Sequence, residues 1–93
     1  MIYAVLFNDN PAAPPDLRKR HMAAHLEFLA ANPGIHAAGP LFETGNPAGG
    51  LWLVEADAAQ QVEALIRRDP FWPTGLRATH RILEWSRVHH AQV

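Results

Sequence analysis

The chain has 93 residues, no cysteine, and a formal net charge of −1 with histidine counted as neutral. This length is that of one domain, residues 1–93, and the lack of cysteine excludes disulfides and thiolate chemistry. The absence of a basic run argues against a nucleic-acid partner. No apolar run approaches the roughly 20 residues that cross a bilayer, and the first residues lack the basic region of a secretory signal, so we expect no membrane association and a cytoplasmic location.

The first half of the chain predicts a strand, a helix and a second strand. Ile2–Phe7 is a nearly unbroken apolar run, which is typical of a strand covered on both faces. A proline-containing loop follows and leads to an amphipathic helix over Leu17–Ala31, which Asn32-Pro33-Gly34 ends. A second strand is predicted over Ile35–Phe42, with Gly39-Pro40 marking an edge position or a bulge.

The second half repeats this alternation. Residues 43–49 contain glycine, asparagine and proline and predict a turn, so that Leu51–Ala56 forms a hairpin with the preceding strand. Asp57 followed by Gln60 predicts a capping box for a helix over Ala58–Arg68. Pro70 ends that helix, residues 71–75 form a connector with one short turn, and residues 76–88 form the last strand.

The resulting order, βαββαβ, predicts a ferredoxin-like α+β sandwich. Two helices would cover one face of a four-stranded antiparallel sheet and leave the other face open. Because the first strand is apolar on both sides, we expect a cover for the open face. A second copy of the chain is the simplest one, so we predict a homodimer through the open sheet face.

Three polar residues interrupt the apolar face of the first helix. At about 100° per residue, Arg18, His21 and His25 lie in the middle of its apolar arc. The second helix has a carboxylate in a similar place, because Asp69 lies seven residues after Val62, within the apolar stripe. Both helices pack on the same sheet face in this fold. We therefore predict that His25 and Asp69 meet between them, since unpaired burial of such groups is costly.

A histidine held by a carboxylate can act as a general acid or base. In this hypothesis His25 moves a proton, Asp69 orients and stabilises it, and Arg18 either holds an anionic group of the substrate or neutralises Asp69. A buried pair that only locks helix to helix explains the same pattern, and the residues alone do not separate the two interpretations.

Other candidate positions have competing interpretations. Gly39 and Pro40 line a pocket or simply bend the strand, and Phe71 walls a pocket or caps the core. His21 and His25 have the i, i+4 spacing of two metal ligands, with a third available from one of four other histidines. That spacing alone is a weak signal, and we predict no metal. The four histidines are His36, His80, His89 and His90.

The order of several short motifs resembles that of the YCII-related (YciI-like) family over nearly the whole chain. Arg18 precedes His25-Leu26 by seven residues, and a strand carries Ala38-Gly39-Pro40-Leu41. The next strand starts at Gly50, the second helix ends in Asp69-Pro70-Phe71, and the closing strand ends near residue 85.

This resemblance implies a ferredoxin-like fold of the dimeric α/β-barrel group, a homodimer, and an active site built on His25 and Asp69. The family is related to muconolactone isomerases, and a similar protein acts as a dehydrochlorinase on a chlorinated hydroxyquinol. Most members have no assigned reaction, and this chain is short between its two middle strands, so the substrate does not follow from the resemblance.

The sequence thus predicts a small enzyme that uses proton transfer, a lyase or isomerase acting on a small cyclic or carbonyl compound, with no cofactor required. The catalytic pair is His25 and Asp69. The candidate substrate-binding residues are Arg18, His21, Gly39, Pro40 and Phe71. The alternatives are a non-catalytic domain that binds a small ligand and a cofactor-free monooxygenase of the same barrel group.

Overall fold

A computed structural model describes residues 1–89 and 91 of the chain. It contains four strands, two α-helices and one short 3-10 helix, Trp72–Thr74. In chain order the main elements are β1 (Ile2–Asp9), α1 (Leu17–Ala31), β2 (Ile35–Glu43), β3 (Asn46–Glu55), α2 (Ala59–Arg68) and β4 (Arg77–Trp85).

The strands form one antiparallel sheet in the order β2-β3-β1-β4. This order brings the first and third strands together in the centre and leaves β2 and β4 at the edges. The two helices supply the apolar side chains that pack on one face, among them the fully buried Val62 and Ile66 of α2. The ferredoxin-like α+β fold predicted from the sequence is confirmed.

The hairpin between β2 and β3 is tighter than the sequence suggested. The turn consists of Thr44 and Gly45, with φ values of 46° and 83°, and Glu43 pairs directly with Asn46. Positive φ at both central residues gives a turn whose twist matches that of the flanking strands. The predicted hairpin is confirmed, but the predicted bounds of its turn, residues 43–49, are wrong, because residues 46–49 belong to β3. Pro40 is accommodated because β2 is an edge strand.

The start of α2 also differs from the prediction. Ala58 is the N-cap residue, with no side-chain cap, so the predicted capping box of Asp57 and Gln60 is wrong. Instead, the backbone N–H of Asp57 donates to Oε1 of Gln61, at 2.8 Å. The last strand is shorter than predicted and ends at Trp85.

The two faces of the sheet carry different side chains. Towards the helices, β1 and β3 present the core residues Tyr3, Val5, Phe7, Trp52 and Val54, each 4% exposed or less. The alternate residues lie on the open face, where Ala4 pairs with both Leu53 and Leu83, and Leu6 pairs with Leu51. The open face is therefore largely apolar in its centre, as expected for a strand covered on both sides.

Candidate functional site

His25 and Asp69 lie in direct contact between α1 and the end of α2. Nδ1 of His25 is 2.8 Å from Oδ1 of Asp69, and the two residues are 8% and 1% exposed. Among the described residues, His25 and Asp69 are the two polar or charged ones that are buried. His25 occupies the face of α1 that would otherwise hold a core side chain, and Asp69 is the C-cap residue of α2.

The Asp69-Pro70-Phe71 segment is shaped by the Asp69 side chain. Oδ1 of Asp69 accepts a hydrogen bond from the backbone N–H of Phe71, at 3.0 Å, which is the local bonding that aspartate makes in turns. This turn places the Phe71 ring against the imidazole of His25, with ring centroids 4.1 Å apart and planes 15° apart. One carboxylate oxygen thus orients both the histidine and the aromatic ring that covers it.

The second oxygen of Asp69 faces Arg77, the first residue of β4. Oδ2 of Asp69 lies 2.9 Å from Nη2 of Arg77, whose side chain is 9% exposed. Burial by itself would raise the pKa of Asp69. The hydrogen bonds from His25 and Phe71 and the charge of Arg77 act in the opposite direction, and the pKa is lowered from 3.8.

The charge state of Asp69 determines the tautomer of His25. An ionised carboxylate only accepts hydrogen bonds, so Nδ1 of His25 carries the proton and donates it to Oδ1. Nε2 of the neutral imidazole then has a free lone pair. This arrangement can accept a proton at Nε2 and stabilise the resulting imidazolium through Asp69.

The imidazole borders a cavity between α1 and the β2-β3 side of the sheet. The cavity is small, with a volume of about 100 Å³, and it is open to solvent. The walls combine aromatic side chains, the apolar side chains of α1, a stretch of small residues and several charged groups. The lining residues are Phe7, Asp9, Arg18, Met22, His25, Leu26, Leu29, Ala38, Gly39, Pro40, Gly49, Gly50, Trp52, Phe71 and Arg77.

Four of the residues proposed from the sequence as substrate-binding line this cavity, namely Arg18, Gly39, Pro40 and Phe71. His21 is not among the lining residues. Arg18 is paired with Asp9 rather than with Asp69, since Nη1 and Nη2 of Arg18 donate to Oδ2 and Oδ1 of Asp9 at 3.2 and 2.8 Å. The neutralising cation for Asp69 is Arg77.

Sequence reasoning missed Arg77 and Asp9. Strict alternation from Ile82 and His80, which face the helices, would place Arg77 on the open face of the sheet. A register shift between Asn8 and Asp9 interrupts the pairing of β1 with β4, and Arg77 lies over the ring of Phe7 on the helix side. No pattern in the sequence predicts that register shift.

A second histidine–carboxylate pair lies outside the cavity. Nε2 of His80 is 2.7 Å from Oε2 of Glu63, and neither residue lines the cavity. Among residues 1–89 and 91, no three histidine, aspartate or glutamate side chains lie close enough together to hold a metal ion. His89 is exposed, and His90 lies outside the described residues.

The family model of the YCII-related domain matches residues 1–86, and the chain belongs to this family. No curated protein matches the sequence. Within the described part of the chain, neither α-helix is long and apolar enough to cross a membrane.

Two solved structures show the same fold. The first is 5-chloro-2-hydroxyhydroquinone dehydrochlorinase from Burkholderia phenoliruptrix AC1100, in complex with 2,5-dihydroxybenzoquinone. It is 26% identical in sequence, with a TM-score of 0.79 over 92% of this chain and 94% of that chain. The second is a protein from Arabidopsis thaliana, 7% identical, with a TM-score of 0.52 over 98% of each chain; this likeness concerns the fold alone.

Proposed function

We propose that this protein is a small acid–base enzyme, a lyase of the dehydrochlorinase type or an isomerase, acting on a small planar ring compound. The observation that carries the proposal is the hydrogen bond of 2.8 Å between His25 Nδ1 and Asp69 Oδ1, with the imidazole at the wall of a cavity. The likeness to a dehydrochlorinase supports the reaction class.

The roles of the pair follow from their positions. Asp69 is sealed behind His25 and does not line the cavity, so it holds the imidazole, while Nε2 exchanges the proton with the substrate. Phe71, stacked on the imidazole, restricts its rotation. Aromatic walls on this cavity suit a flat ring, because stacked and edge-to-face ring contacts are favourable.

For a chlorinated hydroxyhydroquinone the reaction is a net loss of HCl. Nε2 of His25 takes a proton from a ring hydroxyl and returns it to the carbon that bears chlorine, which gives the keto tautomer. A second hydroxyl proton then passes to Nε2 as the carbon–chlorine bond breaks and chloride leaves with the bonding pair. The product is a hydroxyquinone, and these steps require no oxidant and no cofactor.

The test is chloride release from 5-chloro-2-hydroxyhydroquinone. We expect His25→Ala to lower kcat by roughly 10²- to 10⁴-fold, the usual contribution of a general base. His36→Ala is the matched control, because His36 is exposed on β2 and does not line the cavity. A His25→Ala variant that releases chloride at the wild-type rate would falsify the assignment.

One observation favours the non-catalytic alternative. Asp69 is 1% exposed and connects three parts of the chain, which are α1, the loop that follows α2, and the strand β4. If the pair is only structural, 2,5-dihydroxybenzoquinone will raise the melting temperature of the wild-type protein without any turnover of the chlorinated compound. His25→Ala will then lower the melting temperature, and there will be no catalytic activity for this substitution to remove.

We further propose that the protein is a homodimer through the open sheet face. Alternate side chains of β1, β3 and β4 make this face apolar, and a shallow groove on it is lined by Ala37, Leu41, Leu51 and Leu53, among others. A second copy is the cover that this composition suits. A cytoplasmic location stays a prediction of the sequence.

A further inference from the structure

Arg77 has no role in the proton transfer proposed above, although it lies at the base of the same cavity. It is the first residue of β4, it lines the cavity, and its side chain is 9% exposed. A buried guanidinium needs partners for its five N–H groups, since each unpaired donor in a protein interior is unfavourable.

The pairing of Arg77 with Asp69 leaves part of the guanidinium unused. Nη2 approaches Oδ2 of Asp69 to 2.9 Å, yet Oδ2 makes no aligned hydrogen bond in the described part of the chain. Nη1 of Arg77 is buried and likewise has no hydrogen-bond partner among the described residues. The two groups therefore form an ion pair that is close but not the two-pronged pairing that arginine and carboxylate usually make.

Three aromatic rings lie close to the guanidinium of Arg77. Its Cζ lies 3.9 Å from the ring centroid of Phe7, and 5.3 and 5.4 Å from those of Trp52 and Phe71. Stacking on these faces is favourable for a planar cation and leaves its in-plane N–H edges for an oxygen acceptor. Nη1 is buried without a hydrogen-bond partner in the described part of the chain, and Arg77 borders the cavity, so the guanidinium keeps donor capacity beside this space.

The other charges of the cavity wall are already matched. Both terminal nitrogens of Arg18 donate to the carboxylate of Asp9. Asp69 does not line the cavity and is shared between His25 and Arg77. Among the lining residues, Arg77 is the cation with a buried terminal nitrogen that has no hydrogen-bond partner in the described part of the chain.

We propose that Arg77 is an anion-binding residue of this cavity, and that the cavity takes a planar ring with a negatively charged oxygen attached to it, held by the guanidinium of Arg77. This inference rests on the proposed function only in that the cavity is the substrate site. Among the planar ring compounds proposed above as substrates, we expect the cavity to bind those that enter as a phenolate, an enolate or a carboxylate.

The test is equilibrium binding, followed by quenching of tryptophan fluorescence. The anionic probe is 2,5-dihydroxybenzoquinone, a vinylogous acid that is ionised at neutral pH, and its neutral counterpart is 2,5-dimethoxybenzoquinone. We expect wild-type protein to prefer the anion and Arg77→Gln to weaken anion binding about 10- to 100-fold, the effect of one charge-assisted hydrogen bond. Binding of the neutral probe should change less than about twofold.

Two further variants keep the test decisive. Arg81→Gln is the matched control, because Arg81 is exposed on the same strand and pairs with Leu6 of the open face. Arg77→Lys retains the charge beside Asp69 and removes the forked donor, so it should fold and still lose anion binding selectively. If Arg77→Gln does not fold, the Arg77→Lys result decides.

The proposal is overturned if the wild-type protein binds neither probe, if it shows no preference for the anion, or if both probes lose affinity equally in the Arg77 variants. Binding is measured without turnover, so the two proposals fail separately. Anion preference without chloride release contradicts only the proposed reaction. Chloride release without anion preference contradicts only the role of Arg77.

Discussion

At the scale of single residues, the Asp69 carboxylate connects three parts of the molecule. Oδ1 accepts hydrogen bonds from the His25 imidazole on α1 and from the backbone of Phe71, and Oδ2 faces Arg77 on β4. Removing one partner of such a buried group leaves the other charges uncompensated, which typically costs about 3–5 kcal/mol. Variants of any of the three residues therefore change stability as well as chemistry. His25 and Arg77 are the more informative sites for tests of function, because both line the cavity and Asp69 does not.

The neighbouring glycines Gly49 and Gly50 of β3 have different reasons for lacking a side chain. A Cβ at Gly49 would lie 1.8 Å from the carbonyl oxygen of Phe7, so the close pairing of β1 with β3 requires glycine there. A Cβ at Gly50 would lie 3.4 Å from the Gly39 oxygen and 3.6 Å from the Phe7 ring, at the wall of the cavity. The lack of a side chain at Gly49 thus permits the strand pairing, and the lack of one at Gly50 keeps space open in the cavity.

We expect Gly49→Ala to lower the free energy of unfolding by about 3 kcal/mol, at the upper end of overpacking costs. Gly50→Ala should unfold at nearly the wild-type urea concentration but bind 2,5-dihydroxybenzoquinone about tenfold more weakly, because its methyl group occupies the cavity. Equal losses of stability in the two variants, or unchanged ligand binding in Gly50→Ala, would contradict this division.

The residues of the site differ in how far they could be predicted. His25 and Asp69 were predictable because each interrupts an apolar stripe of regular period, and the fold places both helices on one sheet face. Arg77 was not, because its face depends on a register shift in the pairing of β1 with β4. Such a shift depends on contacts between distant strands and leaves no local pattern.

At the scale of elements, the helix that carries His25 was predicted with its observed bounds, Leu17–Ala31. Proline before it and Asn32-Pro33-Gly34 after it are strong local signals. The start of β3 was not predicted, because Pro47, Gly49 and Gly50 are typical of turns. Tertiary contacts override that tendency: the close approach to Phe7 and the wall of the cavity require small residues inside the strand.

At the scale of the whole molecule, one face of the sheet is covered by helices and the other is apolar and uncovered. Leu83 of β4 is 37% exposed on this open face, and Leu26 of α1 is 55% exposed at the cavity on the helix side. A homodimer through the open face would bury the first of these side chains and not the second. The two leucines therefore form a matched pair for a test of assembly.

We expect Leu83→Glu to shift the protein from dimer to monomer in sedimentation at micromolar concentration, because it places a charge in an apolar interface. Leu26→Glu should sediment like the wild-type protein. A wild-type protein that sediments as a monomer of 10.3 kDa contradicts the proposed dimer, as does an unchanged dimer of Leu83→Glu.

We infer that Asp69 holds His25 with its proton on Nδ1, and that the free lone pair on Nε2 is available to a ligand in the cavity. The most direct measurement is the pair of ¹⁵N resonances of the His25 imidazole, at a pH where the ring is neutral, before and after addition of 2,5-dihydroxybenzoquinone. We expect a protonated Nδ1, an unprotonated Nε2, and a shift of the Nε2 resonance on binding. A proton on Nε2 with Nδ1 bare, or an Nε2 resonance that does not respond to saturating ligand, would contradict it.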